Sequence, residues 1–307
     1  EVGGTFIQAE SEVAAINMVY GAASAGARVL TSSSSPGISL KQEGLSYLAG
    51  AELPAVVVNI VRCGPGLGGI LPAQGDYFQA VKGGGHGDYK MVVLAPSSVQ
   101  ELYELTVEAF NIADRYRIVS MIMGDGILGQ MMEAVEFKDV ENIEKIDKPW
   151  ATTGTQMKRE HNTITSIYIQ PEVLEKHNQK LQAKYRLIEE RETRVESYNC
   201  ENADIIVTAF GTVARIVKNV IKMAEKEGIK VGLIRPITLW PFPTKEYEKY
   251  ADVPKAFLTV ELNAGQMVED VRLAVNGKKP VYFHGRMGGM IPTQKEILDK
   301  IKEILNN

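Results

Sequence analysis

Two glutamates, Glu10 and Glu12, open a segment that is otherwise small and apolar. From Ser11, residues Val13, Ala14, Ile16, Met18, Val19 and Ala22 cover nearly every face of a helix, and a helix apolar all round is a buried one. Glu12 at its start is expected to enter the interior. Desolvation there favours the protonated carboxyl, which can share a proton with a ligand nitrogen. The same residue could instead be an N-terminal carboxylate held by the helix macrodipole. Three further places could do chemistry. The stretch Thr31–Gly37 (TSSSSPG), with Ser34, Pro36 and Gly37, offers hydroxyls and backbone N–H groups at the carboxyl end of a strand, or is an ordinary serine-rich turn. Arg62 follows the run AVVVNIV and precedes Cys63-Gly64-Pro65-Gly66. It is placed to grip a carboxylate with both arms of its guanidinium, or to pair with a surface acid. His86 lies in Gly83–Tyr89 (GGGHGDY). It could orient a substrate or meet a partner, or belong to a loop that needs glycine at positive φ. That cluster leads into a strand, so it is no dinucleotide fingerprint, and one His with one Asp is no metal set.

Elements that could hold these residues are legible. Arg28–Thr31, Val56–Val61, Met91–Leu94 and Val119–Met123 read as short buried strands of a parallel sheet. A helix over Ser98–Tyr116 carries Leu102, Leu105, Ala109, Ile112, Ala113 and Tyr116 at helical spacing, with Ser98 and Glu101 as a capping box. From Lys138 to Ala203 charges become dense, and Glu172–Glu196 reads as one long charged helix. A second set follows in Ile205–Phe210, Val231–Arg235, Phe257–Glu261 and Val281–His284, with a helix over Thr212–Glu227 stopped by Gly228. The expected class is α/β: two doubly wound domains, residues 1–137 and 204–307, joined by a charged helical connector over 138–203.

The 307 residues suit two domains, and 45% hydrophobic with 23% charged residues is an ordinary globular balance. A net charge of −4 gives no reason to expect nucleic acid, and no apolar run reaches the length of a membrane span. Cys63 and Cys200, far apart, cannot supply the four thiolates of an iron–sulfur cluster. Few cysteines, with nothing that reads as a signal peptide, suggest a reducing cytoplasm.

The blocks QAESEVAAINMVYGA, SSSSPGISLKQEG, AELPAVVVNIVRCGPGLGG, GGGHGDYKMVVLAPSS, TAFGTVARI, GLIRPITLWPFP and VELNAGQMVEDVR span nearly the whole chain. Together they resemble the α subunit of the 2-oxoacid:ferredoxin oxidoreductases, nearest to the branched-chain (3-methyl-2-oxobutanoate, or 2-ketoisovalerate) type. The resemblance implies a thiamine-diphosphate pyrimidine-binding domain followed by a transketolase C-terminal-like domain. It makes Glu12 the catalytic partner of pyrimidine N1′ and sets Ser34, Pro36 and Gly37 beside the cofactor. Arg62 would hold the 2-oxoacid carboxylate, and His86 would lie near substrate. Cys63 stands where the family usually has glycine. Gly124-Asp125-Gly126 only partly echoes a metal loop, so Mg²⁺ and the diphosphate are expected on a partner β subunit, and iron–sulfur clusters on γ/δ subunits. Ferredoxin and CoA would complete the reaction. The segment Glu261–Gln266 is expected to serve structure and subunit contact. The family's opening strand and GYPITP-like loop do not precede Glu1, so the chain reads as truncated. Two other readings stay open at this point: a β subunit of a lipoate-linked 2-oxoacid dehydrogenase, and a noncatalytic assembly subunit in which Glu12 is vestigial.

Overall fold

The computed structural model describes residues 3–137 and 145–306; Glu1 and the first residues of the connector lie outside the described residues. The first half runs α1 (Glu12–Ser24), β1 (Leu30–Ser33), α2 (Pro36–Gly50), β2 (Ala55–Val61), α3 (Tyr77–Val81), β3 (Val92–Leu94), α4 (Val99–Tyr116), β4 (Val119–Asp125) and α5 (Gly126–Gln130). Then come α6 (Pro171–Arg191), β5 (Val195–Tyr198), β6 (Ile205–Thr208), α7 (Gly211–Glu225), β7 (Val231–Pro236) and β8 (Thr238–Trp240). The chain closes with α8 (Thr244–Tyr250), β9 (Ala256–Glu261), α9 (Met267–Val275), β10 (Val281–Gly285) and α10 (Gln294–Asn306).

Two five-stranded sheets result, in the orders β1-β2-β4-β3-β8 and β10-β9-β6-β7-β5. Pairing is parallel except at β8, antiparallel to β3, and at β5, antiparallel to β7. The central β2 and β4 are buried nearly throughout, as parallel strands covered on both faces must be. One core joins both halves, bringing Val93 and Ile122 together with Trp240, Phe257 and Val271. A second core fills the space between α7, α10 and the outer face of the second sheet.

Four local expectations change. The strand expected over Arg28–Thr31 lies two residues later, so Thr31–Ser33 belong to β1 and the loop starts at Ser34. The long charged helix ends at Arg191, and β5 follows as an edge strand of the second sheet. Its sequence VESY has no apolar run, so only pairing with β7 makes it a strand. One edge strand of the first sheet, β8, comes from the second half. Helix α1 is not buried all round: Ile16, Val19 and Ala23 face the core, while Val13 is 46% and Met18 50% exposed. Its neighbours cover one side only.

Candidate active site at the carboxyl ends of the first sheet

Parallel register sets the scaffold. Ser33 on β1 lies opposite Asn59 on β2, so the loops leaving these strands emerge side by side. The first carries Ser34–Gly37 and the second Arg62. Pro36 sits in the first turn of α2, where its missing N–H costs nothing. The Gly37 N–H donates to the Ser34 carbonyl at 3.0 Å.

Ser35 joins the two loops. Its φ of +26° is unusual for a residue with a side chain. Its N–H donates to Asn59 Oδ1 at 3.1 Å, and its hydroxyl donates to Asp76 Oδ2 at 2.7 Å. The same hydroxyl accepts from the Arg62 N–H at 3.1 Å, while Asn59 Nδ2 donates to Asp76 at 2.9 Å. Asn59 and Asp76 carried no obvious signal in the sequence, and Ser35 was marked only as part of the serine-rich stretch. Their role depends on a strand, a loop and a helix start converging.

Glu12 is half-buried in the first turn of α1, behind the Ser11 cap. It leans on the start of α2: a Cβ added at Gly37 would stand 2.7 Å from Glu12 Oε1 and also strike Ser33 Oγ. Gly37 is required for this approach. Glu10 precedes the helix cap and is exposed, so the two glutamates do not share the helix.

Arg62 opens on the other side of that loop, into a cleft of about 470 Å³ between the halves. Its Nη2 donates to the Leu67 carbonyl at 3.3 Å, and its Nε is buried without a hydrogen-bond partner. Among the described residues it has no carboxylate partner, contrary to the surface-pair alternative. An arginine with an unanswered inward donor fits a carboxylate ligand. The opposite wall is formed by Leu262, Asn263, Ala264, Gln266 and Met287. Glu261–Gln266 therefore does more than brace the fold. Gln74 and Leu262 exchange hydrogen bonds, Asn263 Nδ2 donates to the Gln74 carbonyl, and Gln266 Nε2 to the Gly75 carbonyl.

His86 is not brought to this cleft. Its loop packs on α2 further along, where Gly84 and Gly85 press against Gln42 and Ser46, and His86 itself is exposed. Asp125 is likewise committed elsewhere. It is buried, accepts from the Ile127 and Leu128 N–H groups that open α5, and accepts from Thr212. Among the described residues no group of three His, Cys, Asp or Glu side chains could hold a metal ion.

A further residue of this site escaped the sequence reading. Lys41 is 1% exposed, one helical turn beyond Gly37 on the same face of α2. Its Nζ donates to Thr31 Oγ1 at 2.8 Å and to the Ser32 carbonyl at 3.2 Å. Burial pushes the ammonium below its usual range, and the nearby Glu12 carboxylate pulls it back up.

Two α/β halves, with strand-end loops gathered beside a cleft, form the scaffold, and comparison with known proteins assigns its family. Residues 1–197 match the family described as pyruvate flavodoxin/ferredoxin oxidoreductase, thiamine diphosphate-binding, and residues 203–297 match the pyruvate:ferredoxin oxidoreductase core domain II. The chain belongs to the 2-oxoacid:ferredoxin oxidoreductase family. It is 51% identical to the ketoisovalerate oxidoreductase subunit VorB of Methanothermobacter thermautotrophicus, over 99% of this chain and 86% of that one. The 2-oxoglutarate:ferredoxin oxidoreductase of Magnetococcus marinus, solved with 2-oxoglutarate, coenzyme A and succinyl-CoA bound, superimposes with a TM-score of 0.82. That match is 27% identical and covers 99% of this chain and 57% of the other. A split-gene transketolase in an inactive β4 tetramer, 12% identical over 98% of this chain and 83% of its own, shares the fold at a TM-score of 0.57. The family is one of oxidoreductases with ferredoxin or flavodoxin as acceptor, and the matching model is a thiamine diphosphate-binding domain. Among the described residues no helix is long and apolar enough to cross a membrane.

Proposed function

We propose that this chain is the pyrimidine-side subunit of a CoA-acylating branched-chain 2-oxoacid:ferredoxin oxidoreductase, with 3-methyl-2-oxobutanoate as substrate. The observation that carries the reading is Arg62, whose buried Nε lacks a partner at the mouth of a cleft beside the Glu12–Gly37 contact. Arg62 would bind the substrate carboxylate. The Ala73, Leu262, Ala264 and Met287 walls suit a branched aliphatic chain better than a second carboxylate. Thiamine diphosphate, when bound, supplies the carbon nucleophile and the electron sink for decarboxylation. Glu12 would hold a proton at N1′ of its aminopyrimidine, with Ser34, Pro36 and Gly37 shaping the adjacent wall.

A β subunit would supply the diphosphate and Mg²⁺ site, and γ/δ subunits the clusters that pass electrons to ferredoxin. The open faces of α1 and α2, with Val13, Met18 and Leu40 exposed, offer apolar surface to such a partner. His86, exposed on its loop, fits the partner-facing alternative. Free Cys63 and Cys200 suit a cytoplasmic enzyme.

The test is kinetic, in the assembled complex. Glu12→Gln should slow exchange of the cofactor's C2 proton by roughly 10²–10⁴-fold, the range of general acid–base groups. Glu10→Gln should leave it intact. Arg62→Ala should raise KM, with a loss of about 1.5–3 kcal/mol for a charged hydrogen-bonded contact, and spare cofactor affinity. Wild-type exchange in Glu12→Gln, or an unchanged KM in Arg62→Ala, would remove the corresponding role.

A further inference from the structure

Asp76 stands where an aspartate ordinarily caps a helix, yet its side chain makes no cap bond to α3. Its Oδ2 turns toward the first sheet instead and accepts from the Ser35 hydroxyl at 2.7 Å and from Asn59 Nδ2 at 2.9 Å. Asp76 and Arg62 both line the cleft, but among the described residues no ion pair joins them. The carboxylate acts on the main chain of the arginine. The Ser35 hydroxyl has one proton and two acceptors in reach, Asp76 Oδ2 at 2.7 Å and the Arg62 carbonyl at 3.3 Å. The shorter, charge-assisted bond takes the proton. The Ser35 oxygen is then turned to accept from the Arg62 N–H at 3.1 Å. A direct salt bridge would also fix Arg62, but it would compete with a carboxylate ligand.

The stretch around Asp76 is fastened from its other side by the second half. The Leu262 N–H donates to Gln74 Oε1 at 3.0 Å, and Asn263 Nδ2 to the Gln74 carbonyl at 2.9 Å. Gln266 Nε2 donates to the Gly75 carbonyl, and Gln266 Oε1 accepts from the Phe78 N–H, both at 2.8 Å. Asp76 thus lies between a backbone held by the second half and the two strand-end loops of the first.

We propose that Asp76 is a positioning residue for Arg62: through the Ser35 hydroxyl it fixes the main chain at Arg62, and leaves the guanidinium free for the substrate carboxylate. This rests on the reading of Arg62 given above. The second half then takes part in substrate binding through Gln74–Asp76 as well as through the wall it adds to the cleft. Without the carboxylate the Ser35 hydroxyl is free to turn to the Arg62 carbonyl, and the Arg62 N–H loses its fixed acceptor.

A double-mutant cycle in the assembled complex tests this, with KM for 3-methyl-2-oxobutanoate as the readout. Asp76→Ala should raise KM by about tenfold, the scale of one lost charge-assisted hydrogen bond. In the Arg62→Ala background the same substitution should add at most about twofold, because a residue that acts through Arg62 has nothing left to position. A merely structural aspartate would raise KM equally in both backgrounds. Ser35→Ala cuts the same link by removing a single oxygen, and it takes the place of Asp76→Ala in the cycle if that variant does not assemble. An unchanged KM in the single variant, or the full rise repeated in the Arg62→Ala background, overturns the proposal. If Arg62→Ala alone keeps the wild-type KM, the reading of Arg62 itself fails.

Discussion

Gly37 shows how little room the site leaves at the scale of single residues. The space where its Cβ would stand already belongs to the Glu12 and Ser33 side chains. Gly37→Ala would have to push Glu12 aside while keeping the helical backbone of α2, where alanine is favoured over glycine. The expected outcome is an enzyme of near-normal stability whose kcat falls by about 10²-fold, the scale of a misplaced catalytic group. Steady-state kinetics together with a thermal melt would check it, and normal turnover would show that Glu12 need not sit there. Ser35 poses the complementary case. Its side chain satisfies Asp76 and the Arg62 N–H while its backbone is held at φ +26°. Strain of this kind persists where the surroundings over-determine it, and here they align the two loops proposed to meet substrate and cofactor.

Among the elements, α6 depends on a charge cluster. Glu52 ends α2 at φ +51° and accepts from Lys180 and Lys184 of α6, while Lys184 also donates to the Arg117 carbonyl at 3.0 Å. Burial alone would raise the Glu52 carboxyl, but the two ammonium groups hold it down at about 2 against an ordinary 4.5. A folded-state value below the unfolded one stabilises above the unfolded value and is lost as pH falls through the folded one. The α6 anchor should thus be complete above about pH 4.5 and fade toward pH 2. Glu52→Gln should lower Tm at neutral pH, with the gap from wild type shrinking below pH 4.5 and closing near pH 2. Circular dichroism melts across that range would settle it; a gap independent of pH would assign the anchor to packing.

Over the whole molecule, the two halves are locked rather than tethered. Strand β8 crosses into the first sheet, and Trp240 at its end packs edge-to-face on Tyr185 of α6 at 5.9 Å. Arg235, 1% exposed, grips Glu101 of α4 through two 2.8 Å hydrogen bonds and Glu196 of β5 through Nε at 2.9 Å. Ser98 Oγ caps the Glu101 N–H at 3.1 Å, but the Glu101 carboxylate, expected to close a capping box on the Ser98 N–H, accepts from the Ser97 N–H at 2.8 Å instead. Its burial opposes ionisation, yet Arg235 and Ser97 draw the carboxyl below its usual range. Arg235→Met should weaken the protein by about 2 kcal/mol, because both stranded carboxylates are about one-third exposed and can rehydrate. Urea unfolding followed by fluorescence and by circular dichroism should give one coincident transition at a lower midpoint. Two separated transitions would mean that the halves unfold independently.

The sequence by itself determined the parts whose physics is local. Short apolar runs such as Val56–Val61 and Val119–Met123 announce strands buried on both faces, and Ser98 before an amphipathic run announces the start of α4. Ser34–Gly37 and Arg62 were legible as strand-end residues, while their adjacency came from the pairing of β1 with β2. Tertiary structure alone decided the rest. The strands VESY and Thr238–Trp240 exist through partners contributed by other parts of the chain. The open side of α1 follows from which neighbours pack on it, not from its composition. Nothing in SLKQEG tells a buried lysine from a solvated one, and the wall opposite Arg62, from Leu262 onward, comes from residues about two hundred positions or more away. Hydrogen bonds and charge interactions act over a few ångströms of space, and only the folded chain brings such distant groups within that reach.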